Sequence, residues 1–472
     1  MTMAELLSWS LAELAGRLRT GEVGSREVTG AVLAALDGTG RELGAVARLT
    51  PEAALAAADD ADRARARGDL LGPLHGVPLA HKDMFYRQGE LAECGAALMR
   101  GHRPAATATV LARLDAAGAI DCGRLNMVEF ALGITGHNAH TGHPRNPWDK
   151  ERITGGSTSG GAAAVAARLI PATLGSDTGG SIRYPAACCG LVGLKPTYGR
   201  VSRFGCMPLS FSLDHVGPLA RSAEDVGLVM QAIAGADAND PTTSARPVPD
   251  YAASSAGQGR RLRVAVAERG LDTEFEPEVA AGFGRAVEHL ADAGLELVPA
   301  TVPSFTLLNA LRRLVMLAEV AALHRDRVEA SRAAFNPQTV SRMEPGFGIS
   351  GVDYARALSA RAPILRRFCA EVFTDADVLA LPTAPAMTPG IAATDTGGDP
   401  YFMALANQLG TLVGPFNYLG LPALSVPMGL DSRGMPLGLQ LVGRPFAEAM
   451  LLRVARRFED AAGPLPAPRV AG

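Results

Sequence analysis

The chain has 472 residues, 47% hydrophobic and 20% charged, which is apolar material enough for a large buried core. A net charge of −3 excludes the broad basic field that non-specific nucleic-acid binding requires, so no nucleic-acid partner is expected. Six scattered cysteines with no C-x-x-C pair read as buried free thiols in a reducing, cytoplasmic setting.

In chain order, Met1 to Thr20 lacks the basic opening and long apolar core of a signal peptide. Leu6, Leu7, Leu11, Leu14 and Leu18 instead recur at helical spacing. A second helix is predicted from Ser25, as N-cap, to about Leu36, and a third from Pro51 to about Arg67 with proline in its first position. This helical layer leads into Leu74–Phe85, an apolar strand that carries Lys82. A helix over 106–114 and a short strand over 118–123 follow. His137, His140 and His143 stand three residues apart, but Asn138, Gly142 and Pro144 among them argue against a helix that would align them on a metal. They are read as part of a loop over the functional pocket, and no metal is expected.

Gly155–Arg183 holds two glycine-serine clusters separated by an apolar run. Ala162–Ile170 is predicted as a tightly packed alanine-rich helix that stops near Pro171, and 173–175 as a short buried strand. A serine in a glycine turn places a hydroxyl beside unpaired amides, which suits acyl transfer: a nucleophile next to an oxyanion hole. Neither cluster fits the G-x-S-x-G elbow, since Ser159 stands where Ser157 would need a glycine and Ser181 is followed by Ile182 and Arg183.

Composition points to the missing base. Of the 45 Lys and Arg residues only three are lysines, Lys82, Lys150 and Lys195. Arginine stays protonated, whereas a lysine in apolar surroundings can lose its proton. Lys82 has such surroundings. Lys150 reads as a solvated loop charge, and Lys195 as a structural hydrogen-bonding group.

Beyond this core, polar 235–259 is the best linker candidate. Residues 261–303 read as strand, helix and strand (262–267, 276–293, 295–298) without Gly-x-Gly-x-x-Gly, so no nucleotide cofactor is expected. Asp377–Pro385 is a buried strand and 388–399 an aperiodic rim. Two further core strands are predicted at 417–427 and 437–443, and a closing helix at 447–460. No stretch approaches the length of a transmembrane helix, so no membrane partner is expected.

Gly76–Asp83, Gly155–Gly160, Gly175–Arg183 and Pro185–Ser202 together resemble the amidase signature family, and the resemblance runs on to Gly438–Phe446, nearly the whole chain. The separations of 75 residues from Lys82 to Ser157 and 24 from Ser157 to Ser181 also suit that family. The resemblance implies an α/β fold, one large mixed twisted sheet covered by helices on both faces. The whole of 1–472 would be a single amidase domain: a helical layer to about 70, a signature core over about 71–235 and a completion over about 260–472. It makes Ser181 the nucleophile, Ser157 a bridging serine after a cis Gly156–Ser157 peptide, and Lys82 the ultimate base. The amides of Thr178, Gly179, Gly180 and Ser181 would form the oxyanion hole. Ala131 and Gly133, in the block Asn126–Gly133, would contact substrate through their backbone, and Tyr184 would sit beside the acyl pocket. Thr158 replaces the family's usual second serine, and Ser159 a glycine.

Three functions are compatible. The first is a free-standing hydrolase of C–N bonds in small amides, aryl amides, carbamates (urethanes) and esters included. It would use no cofactor and no partner beyond a second copy of itself. The second is the glutaminase A subunit of a tRNA-dependent Asp/Glu amidotransferase, which usually carries Gln where this chain has Tyr184. The third is a non-catalytic binding protein on the same fold. The aromatic Tyr184 favours the first reading.

Overall fold

The computed structural model describes residues 2–252, 261–394 and 400–468. Its strands are β1 (Val46–Leu49), β2 (Pro78–Lys82), β3 (Ile120–Leu125), β4 (Ala172–Asp177), β5 (Val192–Lys195), β6 (His215–Ala220), β7 (Arg263–Arg269), β8 (Glu296–Thr301), β9 (Val378–Pro382), β10 (Ala423–Leu430) and β11 (Pro436–Gly443). The short apolar runs without alternation, β4, β5, β6, β9 and β11, are buried along their whole length, as strands covered on both faces must be. They belong to one eight-stranded sheet of order β4-β6-β5-β10-β11-β9-β7-β8. Its pairs are antiparallel from β4 to β9 and parallel for β9-β7-β8, so the sheet is mixed. Helices flank it, giving the single-domain α/β architecture that the sequence implied.

Lys82 does not lie in that sheet. Strand β2 belongs to a separate three-stranded sheet, β1-β3-β2. Side chains tie the two sheets together: Thr173 Oγ1 donates to the Ala80 carbonyl at 2.7 Å, and the Leu174 amide to His81 Nδ1 at 3.2 Å. The elements that carry Lys82 and lead to Ser181 therefore meet across a seam.

Several boundaries differ from expectation. The first twenty residues form two helices, Met3–Ser8 and Leu11–Thr20, because Ser10 caps the second by accepting from the Glu13 amide. Gly24, not Ser25, is the N-cap of helix Ser25–Ala35; the Ser25 hydroxyl donates instead to the Gly76 carbonyl. The alanine-rich helix spans Ser159–Ala166, so it starts directly from the glycine turn. Asn417–Leu419 is helical, within Pro415–Leu419. Helices Phe305–Ser331 and Gly351–Phe373 pack over a second apolar cluster containing Phe305, Phe368, Phe416 and Tyr418. Part of the predicted linker (253–259) and of the predicted rim (395–399) lies outside the described residues.

Candidate active site

Strand β4 runs into Thr178–Ser181 and then helix Arg183–Cys189. The reversal needs glycine at 180, where φ is +122° and a Cβ would lie 2.4 Å from Val413 Cγ2. Asp177 holds the turn together. Its carboxylate accepts from the Gly180 amide at 2.8 Å, the Ile182 amide at 3.1 Å and both Nε and Nη2 of Arg183 at 3.0 and 2.9 Å. Burial would raise its pKa, but the Arg183 guanidinium overrides this and holds the carboxyl well below the usual range. Arg183 also reaches Gln440 and Asn417, at 2.6 and 2.7 Å. The Gly180 amide is thus already engaged, so it drops out of the four expected oxyanion donors. The Gly179 and Ser181 amides have no acceptor among the described residues.

The second cluster approaches from the other side of the seam. The Gly156–Ser157 peptide is cis. Ser157 is fully buried, and Lys82 Nζ donates to its Oγ at 2.7 Å. Nζ also donates to Ser176 Oγ at 2.8 Å and Thr158 Oγ1 at 3.3 Å. All three partners are hydroxyls, so no carboxylate pins the ammonium form by direct contact. Desolvation lowers the Lys82 pKa to about 7, against the raising effect of Asp177 and Asp214. Near neutrality a large fraction of this amine is therefore unprotonated. Thr158 Oγ1 donates to the Ser181 carbonyl at 2.6 Å, so the substitution of threonine for serine keeps a hydroxyl with a structural task. No hydrogen bond joins Ser157 to Ser181.

Ser181, 8% exposed, opens onto a pocket of about 90 Å3. Ala131 and Gly133 face it from the opposite wall, with Ala131 and its neighbour Phe130 in the left-handed region at φ +60° and +49°. Such backbone costs a non-glycine residue about 1 kcal/mol or more, so the surrounding packing must impose this turn. Arg312, Arg313 and Arg342 complete the wall, none of which the sequence singled out. In a chain where arginine supplies nearly every cation, a functional arginine carries no compositional signal. Ser176 and Asp177 were within reach, since both lie in the Gly175–Arg183 block.

Tyr184 is not in this pocket. Helix Arg183–Cys189 turns its ring away from Ser181 towards Gly155, Cys188 and Met428, where it is 1% exposed. None of the three histidines lines the pocket either: His140 Nε2 pairs with Glu129 at 2.9 Å, His137 Nε2 with Thr394 at 2.7 Å, and His143 packs against His137. Among the described residues no group of three His, Cys, Asp or Glu side chains is placed to hold a metal. No described helix is long and apolar enough to cross a membrane.

A model of the family described as Amidase matches residues 27–452. The chain belongs to this family. The A subunit of glutamyl-tRNA(Gln) amidotransferase from Chloroflexus aggregans is 41% identical over 97% of each chain. Among solved structures, peptide amidase from Stenotrophomonas maltophilia aligns with a TM-score of 0.85 at 31% identity, over 98% of this chain and 99% of that one. A chain from a vestigial complex, described as revealing the origins of an s-triazine catabolic enzyme, aligns at 0.90 and 35%, over 97% and 100%. This family member is accordingly an enzyme of C–N bond hydrolysis.

These relatives overturn the expectation of a free-standing hydrolase of small amides, working without partner subunits or tRNA. The relatives at about 40% identity are named as one subunit of an amidotransferase and align over nearly their full length. The physical reason for the error is Tyr184. It argued for an aryl acyl group only if its ring faced Ser181, and the ring faces elsewhere.

Proposed function

We propose that this amidase is the A subunit of a glutamyl-tRNA(Gln) amidotransferase. It would release ammonia from an amide donor, glutamine, for use on tRNA-bound glutamate held by companion subunits. The observation that carries this reading is the 41% identity to one such protein over 97% of both chains. The chain acts in this proposal as one catalytic unit, since Lys82 comes from one sheet and Ser181 from the turn that follows strand β4 of the other.

In the proposed reaction Ser181 Oγ attacks the amide carbon and gives its proton to Ser157, whose own proton passes to the neutral Lys82 amine. The oxyanion is met by the amides of Gly179 and Ser181, which have no acceptor among the described residues. The proton then returns through Ser157 to the leaving nitrogen, which departs as ammonia, and water hydrolyses the Ser181 ester by the reverse relay. Substrate must draw Ser157 and Ser181 together, as catalytic hydrogen bonds often close only in the complex.

The test is to assay the purified chain for glutaminase activity alone and with companion subunits and Glu-tRNA(Gln). Ammonia release and amidation that depend on the companions are expected. Absence of both in the assembled complex would overturn the proposal.

A further inference from the structure

An N–H lies in the plane of its peptide, so the direction of the Gly179 amide follows the backbone of Thr178, and that of the Ser181 amide follows Gly180. Gly180 is held by the Asp177 carboxylate. Thr178 is held by a different one. Strands β4 and β6 pair antiparallel with Asp177 opposite His215, which sets Thr178 opposite Asp214 where the ladder ends. Thr178 Oγ1 donates to Asp214 Oδ1 there, and both residues are buried. A β-branched side chain has few χ1 choices, so this bond also restrains the Thr178 backbone. The other Asp214 oxygen accepts from the Leu209 and Ser210 amides, each at 2.9 Å. Thr178, Gly179, Ser181 and Leu209 all line the pocket. Burial pushes the Asp214 carboxyl above its ordinary value, opposed by the Thr178 hydroxyl and the two amides. Such a group is costly to bury, and its three bonds join two segments of one pocket wall. A second buried carboxylate, Glu319 on helix Phe305–Ser331, holds the same loop. It accepts from the Ser210 hydroxyl, the Ser212 amide at 3.1 Å and the Tyr354 hydroxyl at 2.8 Å, none of them in the Thr178–Ser181 turn.

We propose that Asp214 is a positioning residue for amide cleavage: through the Thr178 hydroxyl it aims the Gly179 amide at the oxyanion formed when Ser181 attacks. Asp177 does the same for the Ser181 amide through Gly180, so each oxyanion donor has its own carboxylate anchor. The inference rests on the proposed reaction in taking Ser181 as the nucleophile, and is independent of which amide is cleaved.

The test reads attack by Ser181 without an amide donor, on the chain alone and in the assembled complex. With a fluorophosphonate probe the Ser181 Oγ–P bond forms, the P–F bond breaks, fluoride leaves and the Oγ proton passes to Ser157. Mass spectrometry follows the rate of labelling at Ser181. Thr178→Val keeps the side-chain shape and loses the hydroxyl. Labelling should slow by about 10- to 100-fold, less than the roughly 10²–10³ of losing an oxyanion donor outright. Thr178→Ser, which keeps the hydroxyl, should retain most of the rate. Asp214→Ala should slow labelling by a similar factor. The Thr178→Val/Asp214→Ala pair should be no slower than Asp214→Ala alone, as for two groups that act through one contact. Glu319→Gln loosens the same loop without touching the turn, so it should lower Tm and leave the labelling rate within about threefold. On glutamine in the assembled complex, Thr178→Val should lower kcat by the same factor as labelling, with KM within about threefold. Labelling of Thr178→Val at the wild-type rate overturns the positioning role, as do additive losses in the pair. So does Glu319→Gln slowing labelling as much as Asp214→Ala, which would reduce Asp214 to a loop tether. If Thr178→Val slows labelling but the wild-type complex hydrolyses no glutamine, the amidotransferase reading fails while the positioning role stands. A wild-type protein that is not labelled at Ser181 removes the nucleophile, and this role with it.

Discussion

Lys82 and Lys195 are both fully buried, and desolvation pulls both below the ordinary lysine pKa. Their partners separate them. Lys195 Nζ donates to the carbonyls of Pro196, at 3.1 Å, and Leu421, groups that accept and can never pass a proton on. Lys82 Nζ faces three hydroxyls, each able to accept and donate in turn. Burial supplies a titratable amine at either place, but only the hydroxyl surroundings of Lys82 offer partners able to pass a proton on, as the proposed relay through Ser157 requires. A buried lysine is therefore diagnostic of base chemistry only together with what it touches.

The largest effect that tests this contrast is Lys82→Arg. The charge is kept and the ability to become neutral is lost, so kcat/KM should fall by about 10³–10⁴. An arginine variant with substantial activity would remove Lys82 from the role of base. Ser157→Ala cuts the link next to it and should cost about 10²–10³. It should harm amides more than esters of the same acyl group, because only the amide nitrogen must be protonated to leave. Equal losses on a matched amide and ester would argue against a relay that serves mainly the leaving group.

Lys195→Met asks the same question of the other lysine. Two buried carbonyls lose their donor, so unfolding in urea should show about 2 kcal/mol of lost stability. The kcat of the folded fraction should stay within a few-fold. A selective collapse of kcat with stability intact would break the comparison, placing Lys195 in the chemistry.

How much of this was legible in the sequence follows from which residues were rare. Lysine is scarce here, so Lys82 stood out from composition alone. The paired glycine-serine turns were legible because a positive φ, +70° at Gly155 and +122° at Gly180, favours glycine. Arginine is common, so Arg312 was indistinguishable from a surface charge, and helix 305–331, which lines the pocket, went unread together with helix 351–373. Tyr184 was misplaced because adjacency to the nucleophile block says nothing about which way a helix turns a ring. Strand β2 was recognised as a strand, yet its membership of a second sheet depends on long-range pairing with β3, which local pattern does not encode.

The smallest expected effect concerns pH and Ser176. With Lys82 titrating near 7 and acting as the free amine, kcat/KM should climb about tenfold per pH unit below that value and level off above it. Ser176 accepts from Nζ at 2.8 Å, a bond that favours the ammonium form and so supports a higher pKa than burial alone would allow. Ser176→Ala removes that support. The acidic limb should then move to lower pH, by roughly half a unit to one unit, since a unit corresponds to about 1.4 kcal/mol and a bond to a charged group contributes about that much. The plateau rate should drop no more than about tenfold, because Ser157 still carries the relay. Lys195→Met should leave the limb where it is. A limb that moves to higher pH in Ser176→Ala would mean that the hydroxyl donates to the neutral amine in the working enzyme, reversing the direction of that bond. A limb that moves with Lys195 instead would assign the titration to the wrong lysine.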